Sequence, residues 1–272
     1  MYLQICLNVL KYIYKFLGVD YVKALVTGAS SGIGRDIACE LSKMGYDIYA
    51  VARRENKLLE LKESLKTNIY PIVADLSNRQ ECIALYDKLK NEDIEIVVNN
   101  AGFGAFGDFL NIPLEREIEM IDTNIVSLHI LTKLFLKDFK KKNKGYILNV
   151  ASSAGFMMGP LLATYYASKA YVLRITEAIY RELKETHSAV HVCALCPGPV
   201  KTEFDDVANV KFSIKGLESS YVAKYAVKKM FKRKMLIIPG FIMKLSLFFS
   251  RLVPDSLLSK ITYSVQRKKD SN

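Results

Sequence analysis

Apolar residues along this chain follow two alternating patterns. Short, nearly continuous apolar runs are separated by stretches in which apolar positions recur every third or fourth residue. The runs are "VKALVT" (22–27), "YDIYAVA" (46–52), "NIYPIVA" (68–74), "IEIVVNN" (94–100), "GYILNVA" (145–151) and "AVHVCALC" (189–196), each with the length and composition of a buried strand. Between them, "GIGRDIACELSKMG" (32–45), closed by Gly45, predicts a helix, as does "ENKLLELKESLK" (55–66), with Leu58, Leu61 and Leu65 at helical spacing. "RQECIALYDKLKN" (79–91), a long stretch from about 113 to 142 and another over about 163–186 predict three more. Strands that alternate with helices need crossover connections, and hence a parallel sheet covered on both faces. The expected fold is a single α/β domain over residues 22–240, a Rossmann-like, doubly wound parallel sheet in three α/β/α layers.

Two apolar segments lie outside this pattern. In residues 1–21 the polar residues Gln4, Asn8, Lys11 and Lys15 fall at intervals of 4, 3 and 4, which on a helix leaves one narrow polar stripe and a wide apolar face. Neither a signal peptide nor a spanning helix is expected there, because no basic stretch or small-residue cleavage site flanks it and two lysines interrupt it. The basic, apolar tail of residues 241–272 overlaps "MLIIPGFIMKLSLFFSRLVPDSLL" (235–258), which Pro239, Lys244 and Arg251 interrupt. Both ends suit peripheral membrane contact; the first equally suits packing on its own domain or on a second subunit, and the alternative for the tail is packing over the ligand cleft or on a partner subunit.

Charge sharpens that choice. Residues 1–210 carry 25 basic and 25 acidic side chains, whereas residues 211–272 carry 14 and 3, so the whole net charge of +11 resides in the last 62 residues. Such confinement points to an anionic membrane surface or an acidic partner, and no nucleic acid is expected. Cys6, Cys39, Cys82, Cys193 and Cys196 do not form a disulfide framework. The Cys193-x-x-Cys196 pair falls in a strand-like run without a histidine cluster, so a buried structural role is expected and no metal.

In a doubly wound sheet ligands bind beyond the carboxyl ends of the strands. After the first strand comes "TGASSGIG" (27–34), where Gly28 permits a tight turn and Gly32 and Gly34 admit a pyrophosphate to the backbone at a helix N-terminus, with Ser30, Ser31 and Ile33 between. Arg53 and Arg54 follow the second strand, where NAD sites carry an acidic residue; guanidinium suits a 2′-phosphate, so NADP(H) is expected rather than NAD(H). Asp75 and Leu76 follow the third strand, and "NNAG" (99–102), with Asn99, Ala101 and Gly102, follows the fourth. "ASSAG" (151–155) follows the fifth, and "PGPVKT" (197–202), with Pro197, Gly198, Val200 and Thr202, the sixth.

Taken in order, TGASSGIG, Asp75, NNAG, Asn124, Ser152, Tyr165-x-x-x-Lys169 and PGPVKT resemble the motifs of short-chain dehydrogenases/reductases of the single-domain type. The resemblance spans roughly residues 22–240. It implies a cytoplasmic NADP-dependent enzyme, a homodimer or homotetramer, that interconverts a ketone and a secondary alcohol. Y-x-x-x-K alone is uninformative, since Tyr86/Lys90, Tyr180/Lys184 and Tyr225/Lys229 share the spacing. Only Tyr165/Lys169 follows a strand-end serine at the family's distance, Ser152 lying 13 residues earlier. The family's serine stands three residues before the glycine, here Gly155, which selects Ser152 over Ser153. Tyr165 is then the proton donor or acceptor, its ordinary pKa near 10 expected to fall beside the Lys169 ammonium. Ser152 would hydrogen-bond the substrate oxygen, and Lys169 would also hold the nicotinamide ribose. Asn124 would support a water in Lys169's proton exchange.

Two other functions fit less well. A serine hydrolase lacks a G-x-S-x-G elbow here, and His129, His187 and His191 have no evident placement beside the serines. A non-catalytic, NADP-binding, membrane-associated regulator would be signalled by loss of one of the four catalytic candidates, and none is missing. Phe103, Phe106, Phe156, Met157, Met158, Phe204 and Phe212 are candidate cleft-lining residues, which would make the substrate hydrophobic.

Overall fold

The computed structural model describes residues 22–208, 216–250 and 252–267, the Asp206 side chain excepted. The N-terminal stripe of residues 1–21 and Phe212 lie outside the described residues. The chain runs β1 (Lys23–Thr27), α1 (Gly32–Lys43), β2 (Asp47–Ala52), α2 (Glu55–Ser64), β3 (Ile69–Val73), α3 (Arg79–Leu89) and β4 (Ile94–Asn99). It continues through α4 (Leu114–Ile121), a π turn (Asp122–Val126), α5 (Ser127–Lys142), β5 (Tyr146–Val150), a 3₁₀ turn (Ser153–Phe156), α6 (Ala163–Glu185) and β6 (His191–Leu195). The last elements are β7 (Val200–Lys201), α7 (Phe204–Ala208), β8 (Leu217–Glu218), α8 (Ser219–Phe231), β9 (Leu236–Ile237), α9 (Phe241–Ser250) and α10 (Asp255–Arg267).

Seven strands form one parallel sheet in the order β3-β2-β1-β4-β5-β6-β9. Strand direction of growth reverses between β1 and β4, which opens a crevice beyond their carboxyl ends. β2 is buried throughout, as expected for an inner strand covered on both faces. β3 tolerates Pro71 because, among the described residues, it lies at the sheet edge and pairs with β2 alone.

One face is covered by α1, α2 and α8, where Ile37, Leu41, Leu58, Leu61, Val222 and Met230 share a cluster with Val26 and Ile48. The other is covered by α3, α5 and α6, with Leu85, Leu131, Phe135 and Leu183 packed on Leu25, Val97 and Ile147. Each fully buried leucine or isoleucine contributes about 1.5–3 kcal/mol through area removed from water. Local signals place the helix ends. Asn78 caps α3 by accepting hydrogen bonds from the Gln80 and Glu81 amides, and left-handed Asn143 (φ 46°) closes α5.

Two expectations about elements are corrected. The long helix over residues 113–142 is broken by the π turn, which carries one residue more per turn and leaves the hydrophobic period on either side intact. The seventh strand, β9, is only two residues long, too short for its period to stand out before the apolar tail. The tail itself forms α9 and α10, whose inner faces roof the crevice.

Candidate active site

A cleft of about 870 Å³ lies beyond the carboxyl ends of the central strands. Its floor begins at the turn after β1. Gly28 adopts φ +63°, and a Cβ there would stand 2.7 Å from the Asn100 side chain and 2.9 Å from Ala101 Cα. That close approach is held from both sides. The Thr27 hydroxyl donates to the Val98 carbonyl (3.2 Å) and accepts from the Asn100 and Ala101 amides (2.9 and 3.1 Å). Asn100 Nδ2 donates back to the Thr27 and Gly28 carbonyls (3.0 and 3.1 Å).

Most of the sequence-designated cofactor residues meet in this cleft. Gly28, Ser30, Ser31, Gly32, Ile33, Arg53, Arg54, Asp75, Leu76, Ala101, Gly102, Tyr165, Lys169, Pro197, Gly198, Val200 and Thr202 all line it. Two do not. Asn99 is the last residue of β4 and its side chain turns into the helix layer, where Nδ2 donates to Thr132 Oγ1 and Asn149 Oδ1. Side chains alternate along a strand, so it is the neighbouring Asn100 that faces the turn. Gly34 serves packing: a Cβ there would lie 2.3 Å from the Gly28 carbonyl oxygen, so glycine lets α1 start against the β1 turn.

The far end of this floor is built around Arg54. One Arg54 terminal nitrogen donates to the hydroxyls of Ser30 and Ser31, both at 3.1 Å, and to Glu203 Oε2 at 2.7 Å. That bond to Arg54 is the main reason the Glu203 carboxyl is held below its ordinary pKa. Arg53 is engaged elsewhere, by Glu119 at 3.0 Å. Glu203 has no counterpart among the sequence-designated residues; it follows Thr202 directly but reaches Arg54 only through the fold.

The opposite end holds Ser152, Tyr165 and Lys169. Ser152 follows β5 and caps the 3₁₀ turn, accepting from the Ala154 amide at 3.1 Å. Tyr165 stands in the first turn of α6, its ring 5.2 Å from that of Phe204, while the Ser152 hydroxyl donates to the Pro197 carbonyl at 3.5 Å. Lys169, one turn on and 6% exposed, donates to the Val150 carbonyl at 3.0 Å and lies 5.8 Å from the Tyr165 ring centre. The phenol pKa is not lowered here. Burial pushes it up to about 12, against a smaller downward pull from Ser152, while burial of Lys169 brings the ammonium down to about 8. Desolvation opposes both charged forms.

Asn124 lies in the π turn and joins three elements. Its Oδ1 accepts from the Phe103 amide (3.0 Å), and its Nδ2 donates to the Phe103 carbonyl (2.9 Å) and Ser168 Oγ (3.0 Å). A Cβ on Gly102 would lie 2.7 Å from Asn124 Oδ1 and 3.4 Å from Lys169 Nζ, so glycine permits this convergence.

The competing tyrosines separate cleanly. Tyr166 lines the cleft and accepts a hydrogen bond from Gln266 Nε2 at 2.6 Å, whereas Tyr171 meets His129 Nδ1 at 2.7 Å on another face. Tyr86 is bound to Asp138, and Tyr180 and Tyr225 lie against their own lysines away from the cleft. Among the proposed wall residues, Phe103, Met157 and Phe204 line the cleft, while Phe106, Phe156 and Met158 do not. Phe156 packs in a core cluster beside Ala151 and Val172. The remaining apolar wall comes from Leu162 and from Met243, Leu247 and Leu258 of the tail helices. Cys193 and Cys196 are buried, and burial raises both thiols far above the range of easy thiolate formation.

The family model for short chain dehydrogenases matches residues 22–211. The chain is 34% identical over 204 residues to hydroxysteroid dehydrogenase-like protein 1 of Gallus gallus, covering 71% of this chain and 61% of that relative. It is 35% identical over 190 residues to the 3-oxoacyl-[acyl-carrier-protein] reductase FabG of Rickettsia prowazekii, covering 69% of this chain and 76% of that one. The fold superposes with a TM-score of 0.76 on a short-chain dehydrogenase from Sphingobium yanoikuyae in complex with NADPH, at 26% identity over 85% of this chain and 94% of that one. With its strand order, its glycine turn and its serine, tyrosine and lysine in one cleft, the chain belongs to the short-chain dehydrogenase family of oxidoreductases.

Proposed function

We propose that this protein is an NADP(H)-dependent oxidoreductase that interconverts a hydrophobic ketone and its secondary alcohol. The observation that carries this reading is the convergence of Ser152, Tyr165 and Lys169 at one end of a cleft whose other end holds Arg54, Ser30 and Ser31. The donor set fits a nicotinamide dinucleotide. The glycine turn after β1 admits a pyrophosphate at the N-terminus of α1, and a guanidinium with two hydroxyls suits a 2′-phosphate. A bound cofactor of this kind supplies or accepts the hydride.

The chain's own residues handle the proton. In reduction Ser152 donates a hydrogen bond to the substrate oxygen and holds it beside the Tyr165 hydroxyl. Tyr165 gives its proton to that oxygen as the carbonyl carbon gains the hydride. Lys169 stabilises the phenolate left behind and directs a replacement proton to it. Asn124 positions the loop carrying Phe103 against Ser168, the neighbour of Lys169. The apolar wall of Met157, Leu162, Phe204 and Met243 supports a hydrophobic substrate.

The test is NADPH oxidation against a panel of steroid, fatty-chain and small ketones. Tyr165→Phe should lower kcat/KM at least about 100-fold with NADPH affinity preserved. A Tyr165→Phe enzyme that reduces its ketone at the wild-type rate would refute the assignment.

A further inference from the structure

Helices α9 and α10 turn much of their apolar surface outward. α10 turns Leu258, Thr262 and Gln266 inward, so two of its three buried positions are polar. Its exposed apolar positions are Leu257 and Tyr263, at 50% and 41%, and Ile261 and Val265, at 46% each, which also line the cleft. α9 buries only Leu247 and presents Phe241, Ile242, Phe248 and Phe249 at 53% to 80% exposure. Single exposed hydrophobics are ordinary, but a run of them along two consecutive helices marks a contact surface.

Charge identifies what meets it. Residues 241–267 carry four basic side chains and one acidic, within a segment of 14 basic and 3 acidic residues from 211 onward. A second copy brought to this face by a two-fold axis would set positive charge against positive charge. An anionic lipid surface matches the apolar face and the basic residues together. Among the described residues no helix is long and apolar enough to cross a membrane, so the pair would lie on one.

We propose that α9 and α10 dock this protein on an anionic lipid surface through Phe241, Ile242, Phe248, Phe249 and Leu257. Ile261 and Val265 belong both to this exposed face and to the rim of the cleft. The docked surface therefore runs into the mouth of the candidate active site, and a lipid-dissolved substrate enters there without crossing water. This last step rests on the proposed reductase activity; the docking does not.

Flotation of the full chain with phosphatidylcholine vesicles, with and without phosphatidylglycerol, tests it. Wild-type protein should bind the anionic vesicles at least tenfold more tightly than the neutral ones, and high salt should weaken that preference. The Ile242→Ser/Phe248→Ser/Phe249→Ser variant should lose at least tenfold in binding while keeping its circular dichroism spectrum. Lys260→Glu/Arg267→Glu, which leaves the apolar face whole, should lose the preference for anionic lipid. Wild-type protein that floats with neither vesicle, or a serine variant that floats as well as wild type, overturns the proposal. So does a lipid-indifferent dimer that the serine variant converts to monomer, since the face then joins two copies. Vesicle binding is read without substrate, so a chain that floats but reduces no ketone refutes only the reductase assignment.

Discussion

Arg54→Ala and Glu203→Gln perturb one site in opposite directions. Arg54 donates to two serine hydroxyls at 3.1 Å and to the Glu203 carboxylate at 2.7 Å. A 2′-phosphate seated on the same guanidinium gains charge-assisted hydrogen bonds of about 1.5–3 kcal/mol where water is excluded. The Arg54 side chain is 45% exposed, so solvent screening reduces that to roughly 1–2 kcal/mol. Arg54→Ala should therefore weaken NADPH about 5- to 30-fold and leave NADH nearly unchanged. Glu203 is a like charge to the phosphate and competes for the same donor. Its exposed pair with Arg54 is worth about 0.2–1 kcal/mol, so Glu203→Gln should tighten NADPH by roughly 1.5- to 5-fold, again without effect on NADH. Titration of cofactor fluorescence at low and high salt measures both, and the Arg54 effect should shrink as salt rises. Equal losses for NADPH and NADH in Arg54→Ala, or weaker NADPH binding in Glu203→Gln, would show that this end of the cleft does not hold a 2′-phosphate.

Three further outcomes follow from the site and its support. With the Tyr165 phenol held near 12 and the Lys169 ammonium near 8, ketone reduction should hold steady from pH 6 to 7 and fall above pH 8 as Lys169 loses its proton, while alcohol oxidation, which needs the phenolate, should rise about tenfold per pH unit below pH 8; an oxidation rate that levels off near neutral pH would contradict this. His191 is 2% exposed, and burial, then Arg233, bring its pKa down to about 4. The unfolded chain thus binds the extra proton between about pH 6.5 and 4, and stability should fall by on the order of 3 kcal/mol as pH drops through that window. Urea unfolding of His191→Gln should lose most of that dependence, and an unchanged slope would remove His191 as its source. Thr27→Val leaves the Asn100 and Ala101 amides without their acceptor and should cost about 2–4 kcal/mol, lowering both Tm and cofactor affinity; an unaltered Tm would mean that solvent replaces the hydroxyl.

Much of the architecture was legible because inner strands of a parallel sheet are buried on both faces and so read as apolar runs. β1, β2 and β4 to β6 are of this kind, and even edge strand β3 keeps enough apolar residues to be seen. β9 was not legible, since two residues have no period. At the cleft, the reading of strand ends brought out Arg54 and Ser152, and motif order singled out Tyr165 and Lys169 on the helix that follows; all four line it. Motif order misjudged Asn99 and passed over Asn100 because a motif does not say which of two adjacent residues faces the ligand side of a strand. Glu203 and Gln266 escaped for another reason. Their partners, Arg54 and Tyr166, lie 149 and 100 residues away, and no local pattern encodes such contacts. The depression of the tyrosine pKa expected from Lys169 failed similarly, because spacing reports proximity and not the desolvation that accompanies it.

The π turn at Asp122–Val126 makes chain length itself a functional quantity. Each residue in a helix accounts for about 100° of rotation, so the extra residue sets the phase of α4 relative to α5. In that phase Glu117 of α4 accepts a hydrogen bond from Thr164, the residue before Tyr165, while Asn124 reaches Phe103 and Ser168. Deleting one residue here would produce a smoother helix with better local hydrogen bonding. It would also turn Glu117 away from α6 and release the end that carries Tyr165. A frame-preserving single-residue deletion in this stretch is therefore a change the protein should not survive as an enzyme.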